Sequence, residues 1–288
     1  MANSEMSPHA QLTHHVMALV APYITPIFGW RSDGIPYSIG TATYIEHRNR
    51  RFIVTAGHVA AKCRQGYQLG VFAGQLNAPG SLHRDWRTSL DASWCDGEWG
   101  EDVAILDVTD CLGIDKLPLS STFLTGATDF QEDQGILLSG YAKNPRSASD
   151  ASEMPLLQQH DMEEMIFKLR ALTSLESYMP SAPVNRPSQF CVHFDSTHNQ
   201  DIHGNDLNYV FSAKGFSGSA VWRVRNSPPS NRDVALEGLE IIGIARGWSE
   251  NGAAILVTKG EQVINLLDTY IRSLEDEAIP GAASDISL

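Results

Sequence analysis

The chain has no long hydrophobic run, little cysteine and a shortage of positive charge, and each scarcity excludes something. No stretch of its 288 residues approaches the roughly 18 consecutive apolar residues of a membrane-spanning helix, so no membrane partner is expected. Lys and Arg number 21 against 34 Asp and Glu, a formal charge of -13. Nucleic-acid affinity rests largely on Lys and Arg displacing condensed counterions, so a nucleic-acid partner is not expected either. The N-terminus lacks a basic run ahead of an apolar one. Segment 16–21 (Val-Met-Ala-Leu-Val-Ala) is short, follows His14 and His15, and is closed by Pro22. A secretory signal needs a positive start and a longer apolar core. The segment reads instead as an element packed on the domain.

The four cysteines, Cys63, Cys95, Cys111 and Cys191, show no CxxC spacing. An even count permits two bridges, but without an export signal they read as reduced, buried thiols of a cytoplasmic protein. His193, Asp195, His198, Asp201, His203 and Asp206 cluster in sequence without a zinc-ligand spacing, so they read as a polar loop. No metal and no cofactor is expected.

What is present is a 42% hydrophobic content, enough for a substantial core, distributed in short β-like runs. Residues 38–45 and 51–55 are rich in β-branched and aromatic types, and the charged stretch 46–50 between them reads as a hairpin loop. Further strands are expected at 68–72, 103–108, 135–140, 189–194, 220–224, 240–245 and 253–257. Many short strands separated by turn residues indicate an all-β sandwich or barrel. One helix is expected over 261–274, where Val263, Ile264, Leu266, Leu267, Tyr270, Ile271 and Leu274 recur at three- and four-residue intervals. The stretch 144–186 opens with a loop composition and reads as an elaborated connection, and the tail 276–288 is small and polar.

Three segments carry chemistry. Residues 54–59 (Val-Thr-Ala-Gly-His-Val) read as a strand ending in a small-residue turn that presents His58. Residues 101–106 (Glu-Asp-Val-Ala-Ile-Leu) place Asp102 at the opening of a buried strand. Residues 215–219 (Gly-Phe-Ser-Gly-Ser) set Ser217 between glycines. A serine hydroxyl is a poor nucleophile at neutral pH, so a base must take its proton as it attacks, and neutral imidazole suits that task. A carboxylate on the second imidazole nitrogen fixes the tautomer and stabilises the imidazolium. The developing oxyanion needs preorganised donors, which the N–H groups of Gly215 and Ser217 could supply. Each tripeptide alone is commonplace; the ordered combination is informative.

The order His, Asp, Ser, each at a strand edge, resembles the chymotrypsin/trypsin-like serine peptidase superfamily. Thr55-Ala56-Gly57-His58 is similar to its Thr-Ala-Ala-His motif, and Asp102-Val103-Ala104-Ile105-Leu106 to its Asp-hydrophobic strand. Gly215-Phe216-Ser217-Gly218-Ser219 is similar to its Gly-Asp-Ser-Gly-Gly motif. The resemblance runs from about Ile39 to Leu274 and implies an all-β fold of two antiparallel six-stranded β-barrels with a C-terminal helix. His58 and Asp102 would belong to a barrel at 31–120, after an N-terminal segment 1–30. Ser217 would belong to a second barrel at 121–258, followed by the helix at 259–275.

It further implies a serine endopeptidase acting on a protein or peptide, with Ser217 as nucleophile, His58 as base and Asp102 orienting it. The strand Gly243-Ile244-Ala245 would align the substrate. Three departures matter. Phe216 stands where digestive members carry the aspartate that pairs with a new N-terminus, so that activation switch is absent, and control would come from folding or from a partner. Val59 follows His58 where secreted members often carry cysteine, and Ser219 replaces the second glycine. The nearest likeness is to bacterial, non-secreted members. Phe211, six residues before the nucleophile, would floor the primary pocket and favour a small or apolar residue, unless a register shift makes it core. A catalytically silent scaffold or peptide-binding protein is the alternative. An α/β-hydrolase fits poorly, because its order is Ser, Asp, His.

Overall fold

The computed structural model describes residues 15–16, 18–30, 36–65, 69–71, 88–90, 95–96, 101–111, 117–125, 136–141, 164–171, 187–193, 215–225, 235–248 and 254–277. These residues include fourteen strands, which divide into two sheets, and the helices Gly57–Arg64 and Gly260–Glu277.

The first sheet has eight strands. Seven follow the order β5 (Thr88–Leu90), β4 (Leu69–Val71), β1 (Ile24–Trp30), β2 (Pro36–His47), β3 (Arg50–Ala56), β7 (Val103–Asp107) and β6 (Cys95–Asp96). The eighth, β8 (Leu119–Ser120), pairs parallel with β2. The second sheet closes on itself as β10 (Glu164–Ala171), β11 (Gln189–His193), β14 (Ala254–Lys259), β13 (Leu239–Trp248), β12 (Ala220–Val224) and β9 (Ile136–Tyr141). Helix α1 (Gly57–Arg64) follows β3, and α2 (Gly260–Glu277) follows β14.

The mostly-β reading with a C-terminal helix therefore stands, but the pair of six-stranded barrels does not follow from the pairing. Six strands form a ring in the second half. The first half has eight strands, and among the described residues its end strands β5 and β6 do not pair with each other. Of the expected connection 144–186, only β10 lies in the described part; the tail from 278 onward lies outside it.

The apolar runs of β2, β3 and β7 lack polar alternation because both faces of the first sheet are covered. Successive side chains on a strand point to opposite faces. Ile45, Phe52, Val54, Val103 and Ile105 enter one buried cluster, while Tyr44, Ile53 and Leu106 enter another with Ile27, Val59, Leu69 and Val71. The first cluster is shared between the halves: Leu137, Trp222, Ile241 and Ile244 reach it from the ring. Helix α2 adds Val263, Leu266, Leu267 and Ile271, a stripe at helical spacing, and segment 16–21 adds Val16 and Val20. The N-terminal segment packs as its composition suggested.

One connection is sharper than its sequence indicates. The charged stretch expected as a loop is mostly strand: β2 runs to His47 and β3 starts at Arg50. Only Arg48 (φ 48°) and Asn49 (φ 63°) turn, as a two-residue hairpin with left-handed twist at both positions requires. Asp268 of α2 ties this hairpin down, accepting from His47 Nε2 and Arg48, each at 2.8 Å.

Candidate active site

Asp102 is the centre of the first half's contribution. The main chain there adopts φ +50°, a conformation that aspartate tolerates better than most residues. The turn aims both its backbone and its carboxylate at the start of α1. Gly57 N–H donates to the Asp102 carbonyl (3.0 Å) and His58 N–H donates to Oδ1 (2.7 Å). These are helix N-terminal donors without intrahelical partners, and Ala56 at the N-cap offers no side-chain bond. Asp102 acts as the missing cap from across the chain, and a carboxylate is well placed at a helix N-terminus. A side chain at position 57 would press on Oδ1 at 3.0 Å, so glycine there admits the carboxylate.

The second carboxylate oxygen faces the His58 ring, with Nδ1 and Oδ2 2.9 Å apart. An ionised carboxylate only accepts, so Nδ1 carries the proton and Nε2 keeps its lone pair. The imidazole is half exposed (49%) while Asp102 is largely shielded (19%), so the ring's free edge is accessible.

Ser217 sits on a loop bent by two glycines, Gly215 (φ 100°) and Gly218 (φ 93°). Phe216 between them is buried, filling the place where the resemblance would put an aspartate. Hydrogen bonds to its main chain pin the loop from both halves. From β2, Thr41 N–H donates to the Ser217 carbonyl (2.8 Å) and Thr41 Oγ1 donates to the Gly215 carbonyl (2.9 Å). From β13, the Ala245 carbonyl accepts from Gly218 N–H (2.7 Å), and Ala245 N–H donates to the Ser219 carbonyl (2.8 Å). Gly218 presses so closely on the Thr41 carbonyl and the Thr55 hydroxyl that no side chain fits there. Gly40 likewise lies between the Ser217 carbonyl and Val59, the residue after His58.

The three expected residues therefore converge on one seam, with Thr41 and Gly40 of β2 between them. Among the described residues, Gly215 N–H and Ser217 N–H have no acceptor. No hydrogen bond joins Ser217 to His58 among the described residues. The Ser217 hydroxyl instead donates to the Arg246 carbonyl at 3.3 Å, and Arg246 Nε lies 3.3 Å from Asp102 Oδ2. Arg246 is the residue that sequence reasoning missed. It stands one position beyond the segment singled out as substrate-aligning, and only the strand pairing shows why it matters.

That segment itself needs correction. Gly243 and Ile244 pair with β12 on one side and β14 on the other, and Ala245 is taken by Gly218, Ser219 and Val257. Both edges of Gly243, Ile244 and Ala245 are occupied, so they cannot bind an added strand. Strand β12 begins at Ala220, opposite Ile244, and β13 runs on past it through Gly247 and Trp248, which among the described residues pair with β14 alone. Phe211, the expected pocket floor, lies outside the described residues, as do Asp195, His198, Asp201, His203 and Asp206.

All four cysteines are free thiols. Burial pushes the Cys191 thiol up to about 11, with nearby Arg246 pulling the other way. Cys111 is also raised, by desolvation and then by Asp107 and Asp110. Neither thiol has the low-pH character of a reactive nucleophile. Among the described residues no helix is long and apolar enough to cross a membrane, and no group of His, Cys, Asp and Glu is arranged to hold a metal ion. No protein-family model matches the sequence, and no curated protein matches it.

Proposed function

We propose that this protein is a serine endopeptidase of trypsin-like type, with His58, Asp102 and Ser217 as its triad. The observation that carries the reading is the double grip of Asp102 on His58, through main-chain N–H and ring Nδ1. It fixes the one tautomer that leaves Nε2 free to act as base. In the proposed reaction the Ser217 hydroxyl leaves the Arg246 carbonyl and turns to His58 Nε2, which takes its proton as Oγ attacks the scissile carbonyl. The N–H groups of Gly215 and Ser217, without an acceptor among the described residues, suit the oxyanion. The imidazolium then protonates the leaving amine, and water hydrolyses the acyl-enzyme by the same path in reverse.

An extended substrate would add as a strand at Gly247 and Trp248, where β13 outruns β12. The double-barrel architecture belongs to the same proposal, supported by the closed six-stranded ring and by the position of the three residues on the seam between sheets. So do a preference for small or apolar residues before the scissile bond, for which cleavage of a mixed peptide library is the test, and a cytoplasmic location, which the four free thiols suit.

A fluorophosphonate probe should label the wild-type protein and fail on Ser217→Ala. One observation favours the rival reading of a silent scaffold: the Ser217 hydroxyl is engaged by Arg246 and not by the imidazole. Absence of labelling in folded wild-type protein, across pH, would decide for the scaffold.

A further inference from the structure

Residue 246 occupies an unusual place in the sheet. In the pairing of β13 with β14, Ala245 lies opposite Val257 and Gly247 opposite Leu256, so the register shifts by one residue and Arg246 forms a bulge. Such a bulge re-aims the side chain and main chain of the extra residue. Here it turns the Arg246 carbonyl to the Ser217 hydroxyl (3.3 Å) and its guanidinium to Asp102 (3.3 Å). The oxygen it meets is Oδ2, the same atom that accepts from His58 Nδ1. Arg246 is mostly shielded, with its side chain 21% exposed, so the charge is poorly screened by water.

Building on the proposed triad, we infer that Arg246 is a positioning residue that holds Asp102 and offsets its charge, keeping the His58 ring neutral to lower pH than the Asp102–His58 pair alone would. A permanent cation on the shared oxygen competes with the imidazolium for the carboxylate and repels it. Either effect disfavours the protonated ring. The base form of His58 therefore persists further toward acid, at the cost of a weaker pull on the ring's proton.

Charged and titratable groups near this contact, in space or along the chain, come from several elements. Asp102 and Arg246 are nearest. Lys62 lies one turn along α1 with its amine near the Gln65 side-chain carbonyl (3.4 Å), and Cys191 on β11 is a buried thiol within the field of Arg246. Glu101 meets the Thr258 hydroxyl through its main-chain carbonyl. Of these, Arg246 alone brings a fixed positive charge onto the triad carboxylate among the described contacts.

The test follows the His58 ring by NMR titration of full-length protein carrying labelled histidine, with His58→Gln to assign the signal. Removing the charge in Arg246→Met should raise the ring's titration midpoint by about one pH unit. Arg246→Lys, which retains a cation, should restore most of the wild-type midpoint, to within about 0.3 pH unit. In an Asp102→Asn background the Met substitution should move the midpoint by less than about half as much, because the shared oxygen is gone.

Coincident midpoints in wild type and Arg246→Met would overturn the inference, and so would a Lys variant that moves with Met. If Arg246→Met does not fold, Arg246→Gln carries the same expectation. The readout needs no catalysis. A shifted midpoint in a protein that no fluorophosphonate labels would leave Arg246's role intact while removing the peptidase reading.

Discussion

His58 and Asp102, beside the eight-stranded sheet, are held mainly through a side chain, whereas Ser217, beside the six-stranded ring, is held mainly through its backbone. In the first half, one carboxylate takes a helix N–H and an imidazole N–H, so position depends on the identity of residue 102. In the second, two glycines at positive φ shape the loop, and bonds from Ala245 and from Thr41 across the seam hold its backbone, so position depends on the absence of side chains at 215 and 218. The lesson is that chemistry and geometry are separable on one side of the seam and fused on the other. Substitution at Asp102 should alter reactivity and leave the fold intact; substitution in the serine loop should damage both.

The largest expected effect tests that separation. Asp102→Asn retains an acceptor for the His58 N–H and tolerates the left-handed backbone, so urea unfolding should change by no more than about 1 kcal/mol. Labelling of Ser217 should nevertheless slow by roughly ten-thousand-fold, because the amide no longer enforces the right tautomer. A variant that loses stability in proportion to activity would erase the contrast. Next in size, Gly218→Ala should destabilise by about 4 kcal/mol, from strain at φ 93° and a clash with the Thr41 carbonyl and Thr55 hydroxyl. Chemical denaturation measures it, and near-wild-type stability would mean that the serine loop is held less tightly than its contacts indicate.

Two smaller substitutions sharpen the comparison. Trp222 is fully buried, and its Nε1–H donates to Ser139 Oγ at 2.7 Å on the neighbouring strand β9. Trp222→Phe should cost about 2 kcal/mol, from lost volume and a hydroxyl left without its donor, read as a lower denaturation midpoint. Thr55→Val removes only the bond from Thr55 Oγ1 to the Thr41 carbonyl (2.7 Å), beneath Gly218. About 1 kcal/mol is expected by the same measurement, with labelling little changed.

Much of this architecture was legible in the sequence where burial and pattern agree. The run 220–224 is strand β12 to the residue, and the 3.6-residue stripe at Val263, Leu267 and Ile271 is helix α2 with one residue more at its start and three at its end. What escaped has physical reasons. Strand β1 contains Pro26 and Gly29, which break a strand pattern. Pro26 is accommodated because it pairs only with β2, the β4 pairing being confined to Ile27–Gly29. Helix α1 has no side-chain N-cap of its own, since its cap arrives from Asp102, 44 residues later. The order of the three proposed catalytic residues was readable because His58 and Ser217 lie beside small-residue turns and Asp102 opens an apolar strand. Arg246 was not, because a bulge is fixed by pairing with β14, and one-dimensional spacing carries no record of it.

The cluster shared by both sheets and α2 has a consequence for how the molecule comes apart. Val54 and Ile105 on one side, Trp222 and Ile241 on the other, and Leu267 above them all lose their shelter from water if any one contributor withdraws. Heat or denaturant should therefore find no weak hinge at which to divide the chain into two separately melting pieces. Fragments cut between the halves should be insoluble alone and regain solubility only when mixed.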